Sequence, residues 1–340
     1  MGKVTLQDIA ARCGVSRGTV DRVVNGRAGV APAVRERVER ALAETGYRTP
    51  SQRRQLAAGR PVTVGFIMPN WNDYYKRKTR EGVRAALRQI GDRRFRVEIV
   101  ELPSRSIADY CAAIGRMEAA GAAGLVLNAA DVPAMQVEID RLAAAGIPVV
   151  TSNSDVPGSR RVCHVGQDLV RSGRVAAGLL APAVRGGSVL VVCGNREFSA
   201  HFQRVEGFLN RMHELGDPAR EVRVLECIER YDLTYDGVAG ALRRERHLRA
   251  IYMANESVPG CMDALAAHGA GREVHVVCND LTPEARRHLA EGRIDFVVDS
   301  DFSGQAGRSV LVLYDLLCRD RPPARTVEYV DTSVVPRELL

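Results

Sequence analysis

Aromatic residues are scarce in this sequence: Phe, Tyr and Trp make up 5% of it, with a single Trp. A core of any size must therefore be built from Ala, Val, Leu and Ile. None of the eight cysteines falls in a CxxC pair, which argues against a zinc site or a disulfide framework. Most, such as Cys193 and Cys278, end apolar runs and read as buried free thiols, a usage that fits a reducing cytosol. No apolar run approaches a membrane span, and the N-terminus carries no apolar signal segment. The expectation is a cytoplasmic protein with no membrane partner. Also missing are a GxxxxGK[ST] phosphate loop, a GxGxxG turn after the first strand, an HExxH pair and a GxSxG elbow. The seven histidines are scattered, and nothing selects a pair among the strand-end carboxylates. Catalysis is not expected, and neither is a metal or a cofactor.

What is present begins with 340 residues, 46% hydrophobic and 26% charged, enough for two or three domains. The formal net charge is +7. It is not spread evenly. Residues 1–60 hold 12 Lys/Arg against 5 Asp/Glu, while the other 280 residues hold 36 of each. A basic module on a neutral body suggests a polyanion partner, most simply DNA.

That module reads as three helices. Thr5 with Asp8 resembles a capping box, so a helix starts at about Leu6. Leu6, Ile9, Ala10 and Cys13 form its apolar face, and Gly14 ends it in a tight turn. Ser16 can cap a second helix burying Val20, Val23 and Val24. Two short helices across a glycine turn make a helix-turn-helix. A third helix runs from about Pro32 to Glu44, burying Val34, Val38, Ala41 and Leu42. In such a motif the start of the second helix meets base edges in the major groove. Here that is Ser16, Arg17, Gly18 and Thr19, with Arg22 one turn on. Arginine can bond guanine O6 and N7 together, and the Ser16 and Thr19 hydroxyls suit phosphate oxygens.

Residues 4–30, "VTLQDIAARCGVSRGTVDRVVNGRAGV", followed by "RERVERALAETGYRTP", resemble the headpiece of the lactose/galactose-repressor family of bacterial regulators. The likeness covers residues 4–50 without a gap. It implies a sequence-specific transcription regulator, most often a repressor, bound to near-palindromic double-stranded operator DNA. It implies DNA contacts at Thr5, Ser16, Arg17, Gly18, Thr19, Arg22 and Asn25. Asp21 departs from the Ser of many members, so no phosphate contact is carried over there. The family's linker forms a short helix that wedges an apolar side chain into the minor groove. Leu56 stands at that position, although Arg53 replaces the small residue expected where two such helices touch. The expected division is a headpiece at 1–48, a hinge at 49–60 and an effector-binding, dimerising body at 61–340.

From Val62 the chain alternates short apolar strands with amphipathic segments. Strand candidates are 62–68, 95–100, 124–128, 147–151, 188–193, 222–227, 249–253, 274–278 and 294–298. Helix candidates include 76–90, 107–120, 134–145, 168–184, 202–215 and 303–318. This alternation means parallel sheets covered by helices, and a break near 155–187 suggests two lobes with a ligand between them at the strand C-terminal ends. The fold class is thus an all-α helix-turn-helix headpiece plus an α/β two-lobe body. Lobe 1 is expected at about 61–155 and 295–320, and lobe 2 at about 156–294 and 321–340.

The body also resembles the family's effector domain, which is similar to type I periplasmic sugar-binding proteins. "SNSDVPGSRRVCHVGQD", "QRVEGF", "ANES" and "CND" carry this looser likeness. It implies effector contacts at Asn153, Asp168, Arg204, Asn255 and Asp280, with Tyr74 or Tyr75 on the ligand's apolar face. Amide, carboxylate and guanidinium groups suit the hydroxyls of a small carbohydrate. Asn153-Ser154 stands where related sugar binders often have Asp-Arg, and Ser300 where they often have Gln. A sugar acid, a sugar phosphate or another polyol is therefore an alternative effector, with Arg204 and one of Lys76, Arg77 and Lys78 facing the acidic group. A solute-binding protein without gene control is the other alternative. One headpiece reads few bases, so a homodimer is expected.

Overall fold

The computed structural model describes residues 5–24, 29–45, 61–194, 199–216, 219–228, 230–255, 257–270 and 273–340. The expected contacts Asn25 and Leu56 and the whole 49–60 hinge lie outside the described residues. No helix among the described residues is long and apolar enough to cross a membrane.

The N-terminal module has helices α1 (Leu6–Cys13), α2 (Arg17–Val24) and α3 (Pro32–Thr45). Thr5 and Asp8 close a reciprocal capping box. Gly14 ends α1 at φ +62° with its N–H turned back to Ala10 and Ala11, a left-handed geometry that glycine adopts without a Cβ penalty. Ile9, Ala10 and Cys13 of α1 bury against Val20 and Val23 of α2 and against Val38 and Ala41 of α3. These are the apolar positions that 3.6-residue periodicity selects.

The body holds two six-stranded sheets with the same internal order. Lobe 1 contains β1 (Val62–Met68), β2 (Phe95–Glu101), β3 (Gly124–Leu127), β4 (Val149–Ser152), β5 (Cys163–Gln167) and β11 (Val327–Val330), arranged β11-β5-β4-β3-β1-β2. Lobe 2 contains β6 (Gly187–Cys193), β7 (Ala219–Glu226), β8 (Leu248–Met253), β9 (His275–Asn279), β10 (Phe296–Asp299) and β12 (Ser333–Val335), arranged β12-β10-β9-β8-β6-β7. Every pairing is parallel except β10 with β12. Helices α4 (Asp73–Ile90), α5 (Ile107–Ala119), α6 (Pro133–Ala144) and α12 (Phe302–Arg319) cover lobe 1. Helices α7 (Leu169–Leu180), α8 (Ser199–Glu214), α9 (Tyr231–Arg244), α10 (Val258–Ala267) and α11 (Pro283–Ala290) cover lobe 2. The chain crosses between the lobes three times: after β5, after β10, and between β11 and β12.

The sheet pairing corrects the expected lobe boundaries. β5 was expected in lobe 2 with everything after 155, yet it pairs with β4. β11 was also expected in lobe 2 and pairs with β5. β10 was expected in lobe 1 and pairs with β9. The sequence hides β5 because it lacks an apolar run. All five of its residues, Cys163-His164-Val165-Gly166-Gln167, are buried, but its polar side chains bond to neighbours instead of packing as hydrocarbon. His164 Nδ1 lies 3.1 Å from Thr151 Oγ1 on the adjacent strand.

Helix pairs in both lobes cross at glycine. A Cβ on Gly82 of α4 would lie 2.0 Å from the Ser303 carbonyl oxygen of α12. In lobe 2, a Cβ on Gly173 of α7 would lie 1.9 Å from the Arg204 carbonyl oxygen of α8, and one on Gly207 would lie 2.0 Å from that of Val170. Only backbones without side chains approach so closely.

Candidate functional site

Two surfaces carry the expected chemistry. On the headpiece, Arg17, Gly18 and Arg22 of α2 are exposed. A Cβ at Gly18 would meet only Ser16 Oγ at 3.7 Å, so α2 presents its backbone openly there. The Ser16 and Thr19 hydroxyls lie 2.9 Å apart, and Ser16 Oγ accepts the Thr19 N–H at 3.1 Å. Thr5 is occupied as a cap, accepting from the Asp8 N–H at 3.2 Å and donating to its carboxylate at 2.7 Å.

The second surface is the cleft at the C-terminal ends of the strands. Asn153 follows β4 in lobe 1 and Asp280 follows β9 at the matching place in lobe 2. Both adopt left-handed backbone, φ +64° and +67°, which Asn and Asp tolerate better than other side chains with a Cβ. The reason is register. The Asn153 N–H donates to Val165 O and the Asp280 N–H to Val298 O, each at 3.0 Å, across to the next strand. Both side chains are buried.

Arg204 lies on α8, above the Gly173 crossing that fixes its backbone. Its guanidinium is buried. Nη2 donates to Ser300 Oγ at 2.8 Å and to Gln167 Oε1 at 3.2 Å, and it lies 3.5 Å from the Asp280 carboxylate. Ser300 Oγ bonds both Gln167 Oε1 and Asp280 Oδ1. The structure thus brings Arg204, Asp280 and Ser300 into one network, together with Gln167, which was not anticipated. Asn255 is buried at the end of β8 and donates from Nδ2 to Cys227 Sγ at 3.1 Å.

The expected aromatics separate. Tyr74 is half-buried, and burial, followed by the Asp299 and Asp280 carboxylates, pushes its hydroxyl pKa up. It therefore shares the cleft with those lobe 2 acids. Tyr75 is the more deeply buried of the two. It is buried in lobe 1, edge-on to Trp71 at 4.4 Å and to Phe302 at 5.1 Å, and its hydroxyl accepts from Asn128 Nδ2. The helical step of 100° per residue turns adjacent side chains to different faces. Asp168 caps α7, accepting the Arg171 N–H at 2.9 Å.

The cations near the cleft have carboxylate partners, although Arg77 and Lys78 share one. Arg204 is neutralised by Asp280. Lys76 reaches Glu101 at 3.7 Å, Lys78 reaches Glu81 at 3.2 Å, and Arg77 reaches Glu81 at 3.8 Å. Burial, with Asp280 nearby, raises the Asp299 pKa above the ordinary carboxylate range. Several buried polar atoms around the strand ends have no hydrogen-bond partner among the described residues: Asn128 Oδ1, Ser154 Oγ, Arg204 Nε, Asn255 Oδ1 and Ser257 Oγ. Buried polar groups are costly when unpaired, so these atoms are suited to a polar ligand. Asn128, Ser154, Ser257 and Gln167 were not among the expected contacts. Asn128 carried a readable signal, as a polar residue ending the apolar buried strand β3.

A three-helix DNA-reading module and a two-lobe cleft define a DNA-binding protein that answers to a small molecule. Residues 5–50 match the domain described as bacterial regulatory proteins, lacI family, and residues 64–320 match the periplasmic binding protein domain. The chain belongs to the lacI family of bacterial regulatory proteins: it is a DNA-binding transcriptional regulator, in a family of regulators rather than enzymes. Catabolite control protein A of Priestia megaterium is 25% identical over 82% of this chain and 80% of its own length. The transcriptional regulator CelR of Thermobifida fusca is 28% identical over 79% of this chain and 78% of its own length. The lactose operon repressor of Escherichia coli is 32% identical over 38% of this chain and 35% of its own length. Among solved structures, GanP, a glucose-galactose binding protein from Geobacillus stearothermophilus, superposes with a TM-score of 0.74 at 19% identity, covering 82% of this chain and 98% of that one. A solute-binding protein from Bacillus halodurans with bound myo-inositol superposes at 0.72 and 19% identity, covering 82% and 96%. Likeness at that identity establishes the shared fold of the body.

Proposed function

We propose that the cleft binds a small, uncharged, sugar-like polyol and that this binding sets the affinity of the headpiece for its operator. The observation carrying the reading is the set of buried polar atoms, contributed by both lobes, that have no partner among the described residues. They combine donors, acceptors and hydroxyls, the mixture that vicinal hydroxyl groups match. Asn153, Asp168, Arg204, Asn255, Asp280 and Ser300 are the proposed contacts, with Tyr74 against the apolar face. The pairing of Arg204 with Asp280 and of Lys76 with Glu101 favours a neutral effector over a sugar acid or phosphate. On the DNA side, Arg17, Gly18 and Arg22 are proposed to meet base edges, and Thr5, Ser16 and Thr19 the backbone. Two headpieces joined in a homodimer would double a small set of base contacts and match a near-palindromic site.

The test is calorimetry with matched pairs, each a neutral sugar and its acid or phosphate, followed by operator gel shifts with the best binder. The neutral member is expected to bind more tightly and to change operator affinity. Tighter binding of the charged member would overturn the neutral-effector reading.

A further inference from the structure

Gln167 ends β5, and its backbone belongs to lobe 1, paired with Val330 of β11. Its side chain does not stay there. Oε1 accepts from Arg204 Nη2 at 3.2 Å and from Ser300 Oγ at 3.1 Å, and Nε2 donates to the Asp299 carbonyl at 3.0 Å. Arg204 stands on α8, and Asp299 closes β10 with Ser300 next to it, so all three bonds leave lobe 1 for lobe 2 and its exit. The amide is 2% exposed. Water competes poorly for such bonds, which strengthens them and makes their loss costly.

The guanidinium is planar, so whatever holds one of its nitrogens aims the others. Gln167, Ser300 and Asp280 hold Nη2, Nη1 makes a longer contact to Ala254 O at 3.4 Å, and Nε is buried without a partner among the described residues. An amide is required at position 167 because it must accept from Arg204 and donate to a carbonyl at the same time. A carboxylate would lose the donor, and an apolar side chain would lose both.

We infer that Gln167 is a positioning residue that reaches from lobe 1 to orient Arg204 in lobe 2 and ties the two lobes at one angle. Occupation of the cleft is then felt in lobe 1, because a hydroxyl taking Ser300 Oγ or Arg204 Nη2 removes a donor from Gln167. Only this last step rests on the proposed effector site.

The tie is tested in the full chain without any ligand. Spin labels go on Cys111, exposed on α5 of lobe 1, and on a cysteine introduced at exposed Ala266 of α10 in lobe 2, with Cys318→Ser and dilution by unlabelled chains. Pulsed electron resonance is expected to give a narrow distance distribution for the parent, and a broader, shifted one for both Gln167→Ala and Gln167→Met. Methionine fills the same space without the hydrogen bonds. A Gln167→Met distribution matching the parent would reduce Gln167 to a packing residue and overturn the inference. Calorimetry with D-arabinose, D-allose, D-galactose and myo-inositol gives the second readout. Gln167→Met should weaken the best of them roughly tenfold, the scale of one lost hydrogen bond, and should add nothing once Arg204→Met is present. Equal losses in both backgrounds would mean that Gln167 does not act through Arg204. If none of the four sugars binds, the proposed effector class falls, and the distance measurement still decides the tie.

Discussion

His164 shows how one buried side chain sets a pH limit for the fold. It is 4% exposed on β5, between Thr151 and Asp155. Burial, assisted by Arg161 and opposed by Asp155, lowers its pKa from 6.5 to about 4. A depressed base binds fewer protons in the folded chain than in the unfolded one between those values. Stability is therefore complete above pH 6.5 and is lost as pH falls toward 4, by roughly 3 kcal/mol in total. Asp155 is held below its ordinary value of 3.8 by Arg161, His164 and Thr151 against the effect of burial, so its contribution persists above that value and fades only below it. Unfolding titrations at pH 7, 5.5 and 4 should show the parent losing stability through this window and His164→Gln losing less; parallel curves would refute the assignment. At the same scale, Arg17 and Arg22 stand exposed on α2, and Ala at either should cost about 1–3 kcal/mol on the cognate operator while relaxing preference at one base pair. Equal losses on cognate and random DNA would mean phosphate contact only. These residues were legible in sequence because cap, turn and period agree along one short segment. Gln167 was not, because its partners lie 37 and 133 positions away and no local pattern announces them.

At the scale of elements, the glycine crossings separate structural roles by lobe. Gly173→Ala must push its new methyl group against the Arg204 carbonyl, where the closest approach would be 1.9 Å. Overpacking of this kind costs on the order of 1–3 kcal/mol or more, and here it would also displace Arg204. Gly82→Ala forces the same separation on α4 and α12, on the lobe 1 side. Gly115, exposed on α5, has nothing within 4 Å of an added Cβ, so Ala there should stabilise by about 0.5–1 kcal/mol through helix propensity. Thermal unfolding and effector calorimetry check all three: both tight variants melt lower, only Gly173→Ala also loses effector affinity, and Gly115→Ala melts slightly higher. A Gly173→Ala chain with parental stability would contradict the crossing. The helices and the apolar strands were readable from period and composition. β11 and β12 were not, since Val-Glu-Tyr-Val and Ser-Val-Val are short segments at sheet edges, where one side needs no apolar run. Tyr74 and Tyr75 look alike in sequence for a related reason: only packing makes one half-buried and the other fully buried.

For the molecule as a whole, matching strand order in the two sheets places Asn153 and Asp280 at equivalent corners, and that equivalence is what makes a shared cleft. The three crossings have a genetic consequence. Neither lobe is encoded by one uninterrupted stretch of the gene. A premature stop just after Asp299 would leave lobe 2 short of β12 alone, while lobe 1, most of which is translated first, would lose α12 from its face and β11 from its edge. Lesions late in the reading frame should therefore fall most heavily on the lobe nearer the start. An exchange of segments between relatives that joins them at a single point between β6 and β11 would leave each sheet with strands from both parents.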